Sequence, residues 1–94
     1  MFGETVIVKE FGGNPVLCKV WDVTATKVFV CTEATFERLK TIKDNKFPEN
    51  CFPVGFPKSN VFTYDENSFK QLMVNFQKDP NVWQRMKPYE KRSR

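Results

Sequence analysis

Histidine is absent from this chain of 94 residues, and that omission removes every Ser-His-Asp or Cys-His triad and the mixed Cys/His zinc sites. Also missing are the G-x-x-x-x-G-K-[ST] loop, the G-x-S-x-G elbow and the G-x-G-x-x-G turn, the usual devices for cradling phosphate or activating a nucleophile. Cysteine is scarce and odd in number: Cys18, Cys31 and Cys51 do not have C-x-x-C spacing, so neither a zinc site nor a thioredoxin-like site follows. No metal and no cofactor is expected. Glu33 and Glu37 stand four apart on a predicted helix, but a lone pair of this kind is ordinarily a solvated face, and enzyme is the weakest functional class. No apolar run approaches the ~18 residues of a membrane span. Met1-Phe2-Gly3 opens without a basic region or a signal-type apolar run, so no membrane association and a cytoplasmic location, with reduced thiols, are expected.

What the chain has in quantity is rings. Ten phenylalanines, two tryptophans and two tyrosines make up 15% of the residues, with charge at an ordinary 28%. A chain of this length forms one domain with one modest core, placed here over residues 1–89, and residues 90–94 form a basic tail. Net charge is +4, and in the last eight residues Lys87, Lys91, Arg92 and Arg94 face only Glu90.

Thr5–Phe11 reads as a first strand, ended by Gly12-Gly13-Asn14-Pro15. Val16–Val23 and Lys27–Thr32, rich in valine and aromatics, read as an antiparallel hairpin anchored by Trp21, so the first three strands make a meander. If Val23 pairs with Thr26, Cys18 falls opposite Cys31 and a bridge is conceivable; a one-residue shift of register removes it. Thr32 suits the cap of a short helix carrying Phe36 and Leu39, with a strand over Thr35–Ile42 as the competing reading.

Residues 44–58 contain three Phe-Pro pairs, Phe47-Pro48, Phe52-Pro53 and Phe56-Pro57. Proline opposes both helix and central strand, so a long irregular loop is expected. Its rings either plug an open end of the sheet or stay exposed as a platform for a partner. A fourth strand follows at Asn60–Tyr64. Phe69, Leu72, Met73 and Phe76 then recur at helical spacing behind a cap at Asp65 or at Ser68, which with Gln71 matches a capping box; Asp65 is preferred because it lets Phe69 be helical, and the helix covers the sheet. Asp79-Pro80 restarts helix, and Val82, Trp83, Met86 and Tyr89 form its apolar face.

The fold class that results is α+β and β-rich, a small antiparallel sheet or SH3-like barrel of about four to five strands. It carries one clear C-terminal amphipathic helix and one or two short helices. Over residues 4–64 the strand spacing resembles the SH3-like or Tudor-like small barrels. The resemblance implies a binding module, as such barrels bind peptides, modified side chains or nucleic acid. Two partner classes follow. A protein or peptide partner would meet the Phe-Pro loop at Phe47, Phe52, Phe56 and Pro57. Nucleic acid, the alternative, would meet Lys78, Trp83, Arg85, Lys87, Lys91, Arg92 and Arg94. A structural subunit or homodimer with no separate ligand is a third reading.

Overall fold

In the computed structural model, which describes residues 2–42, 51–79 and 81–89, alternating valines build the sheet. Successive residues of a strand face opposite sides. Val6 and Val8 of β1 (Thr5–Lys9), Val16, Cys18 and Val20 of β2 (Pro15–Val23) and Val28 and Val30 of β3 (Lys27–Cys31) therefore share one face. Short strands β4 (Val54–Pro57) and β5 (Val61–Thr63) complete it, Val54 opposite Val30, Phe56 opposite Val28 and Val61 opposite Val8. All pairings are antiparallel, in the order β4-β3-β2-β1-β5. The expected meander and the α+β class are present. Between its edges β4 and β5 the sheet is open, not a closed barrel.

Two expectations need correction. Within the stretch expected to be irregular, Val54–Pro57 is a strand hydrogen-bonded to β3. The prolines fit because β4 is an edge, where a missing N–H costs no ladder bond on the outer side. The hairpin register also differs. Val23 pairs with Val28, a bulge falls between Val20 and Asp22, and Lys19 lies opposite Cys31. Cys18 instead pairs with Val6 on β1, and all three thiols are free. The bulge belongs to Trp21, whose half-buried ring packs on Phe2 and Phe36 at centroid distances of 5.1 and 5.8 Å, apart from the main valine core.

The sheet is strongly curled. Phe11, two residues beyond β1, holds its ring 6.1 Å from that of Phe56 on β4, three strands away, where a flat sheet would separate the strands by roughly 14 Å. The concave side holds one core: Val6, Val8, Cys18, Val20, Val28, Val30, Val61 and Tyr89. A second core lies on the other side of β1 and β5, where Ile7 and Phe62 meet Leu72, Val82, Trp83 and Met86.

Helix α1 (Glu33–Leu39) begins where Thr32 Oγ1 accepts the Thr35 N–H, and it buries Phe36 and Leu39. Helix α2 (Glu66–Asn75) begins at Asp65, whose carboxylate accepts the Ser68 N–H. Leu72 is fully buried, with Phe69 and Phe76 packed beside it. Met73, expected in the same stripe, is instead largely exposed.

Beyond α2 the expected helical restart is a single 3-10 turn, Val82–Arg85. Residues 87–89 then run extended beside β5: the Thr63 N–H donates to the Lys87 carbonyl at 2.8 Å and the Tyr89 N–H to the Val61 carbonyl at 3.0 Å. Val82, Trp83, Met86 and Tyr89 are all buried as expected. They divide between the two cores because the strap next to Pro88 is extended, not helical. Phe47, Pro48, Pro80, Lys91, Arg92 and Arg94 lie outside the described residues.

Candidate functional site

Among the described residues, curling leaves the concave face uncovered at one end. There a cleft of about 290 Å³ opens between the end of β1, the start of β2, the end of β3, the first turn of α1 and the segment leading into β4. Its floor is Val8, Val16, Cys18, Val30 and Cys31, and its walls include Thr32, Thr35, Phe52, Val54, Phe56 and Glu10. The volume equals about ten waters at ~30 Å³ each, room for one or two side chains.

Each lining residue arrives there by local rules. Period-two alternation brings the valines and Cys18 to the floor. The Thr32 cap fixes the first turn of α1, which sets Thr35 on the rim; the Thr32 hydroxyl also donates to Thr35 Oγ1 at 3.0 Å. Pro53 and Pro57 bracket β4 and hold the chain extended, so Phe56 points inward opposite Val28 while Phe52 remains 52% exposed at the mouth. Phe11, 91% exposed, stands against Phe56 at the lip. This ring is held outward by the turn that follows it, where Gly13 adopts a φ of 88° that only glycine accepts without strain.

The floor is chemically quiet. Burial, with the neighbouring Cys31 and Glu10, pushes the Cys18 thiol up to about 11. Burial and the nearby Cys51 also raise Cys31. Both sulfurs therefore stay protonated at neutral pH and act as small apolar groups, since the thiolate is the reactive form. Among the described residues no three Cys, Asp or Glu side chains are placed to hold a metal ion. Beside the cleft, β4 presents an edge with no further strand on it among the described residues. The opposite edge, β5, is covered by the 87–89 strap.

Of the loop residues singled out from sequence, Phe52 and Phe56 meet in the cleft, Pro57 ends β4 on the exposed surface, and Phe47 is outside the described residues. The basic set is not gathered in the same way. Trp83 is only 7% exposed, its ring 5.1 Å from Phe62 with Lys9 Nζ 5.6 Å above it. Arg85 is engaged with Asp79 at 2.8 Å, while Lys78 and Lys87 are exposed. Sequence reasoning missed Phe11, Glu10 and the valine floor as site residues. The available signal was the alternation in β1 and β2, which marks one all-valine face without telling that a curl would bare one end of it.

The chain matches no protein-family model, no curated protein and no solved structure. No helix among the described residues is long and apolar enough to cross a membrane.

Proposed function

We propose that this chain is a non-enzymatic interaction module that binds an extended segment of a protein partner at the open end of its curled sheet. The observation that carries the reading is the apolar cleft with two exposed rings, Phe11 and Phe52, at its mouth, beside a strand edge on which no other described strand lies. Exposed apolar surface of this kind is costly to keep unless something covers it. An edge strand supplies the backbone hydrogen bonds that fix a peptide along it, with alternate side chains directed into adjoining pockets. The resemblance of the strand spacing over residues 4–64 to small barrels that bind peptides points the same way.

Selection of a phage-displayed random heptapeptide library on the immobilised protein tests this. Peptides should be enriched, and Phe52→Ala should weaken them at least tenfold while leaving the thermal midpoint within ~2 °C. Failure to enrich any peptide, or peptides indifferent to Phe52→Ala, would sink the proposal. Salt-sensitive capture of oligonucleotides, unaffected by Phe52→Ala, would favour the basic C-terminal residues as the functional surface instead.

A further inference from the structure

Resting on that reading, we infer that the segment bound at the cleft is basic as well as apolar: an apolar side chain fills the cleft, and a Lys or Arg two residues away pairs with Glu10. Among the described lining residues Glu10 is the one acidic or basic side chain. Its carboxylate takes part in no ion pair or side-chain hydrogen bond among the described residues, a state it shares with Glu33, whereas Glu37 pairs with Lys40, Glu66 with Lys70 and Asp79 with Arg85; of these two acids it is Glu10 that lines the cleft. The preceding cation does not neutralise it, since Lys9 reaches over Trp83 on the other side of the sheet.

The neighbouring group sets the kind of cation. Phe11 directly follows Glu10 in the chain and offers an exposed ring 6.1 Å from that of Phe56, which lines the same cleft as Glu10. A long side chain whose methylene stem lies on a ring while its head reaches an acid is how lysine and arginine use amphipathic surfaces. Spacing comes from strand geometry: in an extended peptide, side chains two apart point the same way, roughly 6.6 Å from one another. One thus enters between Phe52 and Phe56 while the next on that side reaches the Glu10 lip. The net charge of +4 does not oppose this contact, because pairing acts within a few ångströms and distant exposed charges are screened beyond ~8 Å at physiological salt.

The same library selection, repeated on Glu10→Gln and Glu10→Lys, decides the matter. With the unaltered protein, enriched peptides should carry Lys or Arg two positions from Leu, Ile, Phe or Trp. Synthetic copies should lose roughly two- to fivefold in affinity for Glu10→Gln, and selection on Glu10→Lys should switch the bias to Asp or Glu. Apolar peptides that depend on Phe52 but show no basic bias would overturn this inference and leave the cleft reading standing. Peptides that ignore both Phe52 and Glu10, or no enrichment at all, would remove both. Melting of each variant within ~2 °C of the unaltered protein establishes that Glu10 acts at the surface and not in folding.

Discussion

Tyr89 and Cys18 tie the concave core to proton binding. Burial, the hydrogen bond that the Tyr89 hydroxyl donates to Glu4 Oε1 at 3.1 Å, and the Glu4 charge push the phenol up to about 12; Cys18 is raised to about 11. Both groups hold their protons more tightly folded than unfolded. Their contribution is therefore complete below about pH 9 and is lost as pH rises through about 9–12. Urea midpoints should be level between pH 7 and 8.5 and fall steadily above pH 9, and Tyr89→Phe should flatten the upper part of that decline. Native-state alkylation should modify half-buried Cys51 before the two buried thiols, Cys18 last. At this scale the sequence was legible where a residue obeys its own local rule. Thr32 and Asp65 cap the helices they were expected to cap, because a side-chain oxygen next to a free N–H is a local affair. Phe52 and Phe56 were recognisable as rings beside proline, yet nothing local told which one faces in. That depends on pairing with Val28, a residue 28 positions earlier in the chain.

Among the elements, β4 shows why a proline-rich stretch is hard to read. Four residues bounded by two prolines carry little strand propensity, and pairing with β3 overrides it. Gly55 within it lies opposite Phe29, whose ring occupies the space a side chain would need: a methyl there would stand 2.9 Å from Phe29 Cε1. Gly55→Ala must displace that ring. We expect a loss of about 1 kcal/mol and a fall in melting temperature of about 4–8 °C, together with weaker peptide binding if the edge shifts. Thr32→Ala is expected to cost a similar ~1 kcal/mol through the lost cap, and to loosen the Thr35 side of the cleft. Hairpin register was left open by the sequence for a related reason. The turn residues Thr24-Ala25-Thr26 fit more than one closure, and the bulge at Trp21 shifts all pairs beyond it.

Across the molecule, two cores on opposite sides of one sheet separate stability from binding. Leu72, fully buried between α2 and the sheet, should lose about 2–5 kcal/mol as Leu72→Ala, a large share of the 5–15 kcal/mol typical of a domain. Phe52→Ala should change chemical denaturation by less than about 0.5 kcal/mol, because that ring already meets solvent. Fold class was legible because valine alternation and helical periodicity are patterns of whole segments. The cleft was not, because it arises from curvature, a property of five strands together. The same curvature works together with the strap. The Tyr89 N–H bonds to Val61, which lies opposite Val8, while its hydroxyl reaches Glu4, so residues 87–89 lie along β5 as a bolt lies along a door. Among the described residues that leaves β4 as the edge on which a second chain could add a strand, and unpaired edges are where sheets recruit one another. Two copies meeting edge to edge through β4 would therefore use up each other's open side, and growth by strand addition would stop at a pair.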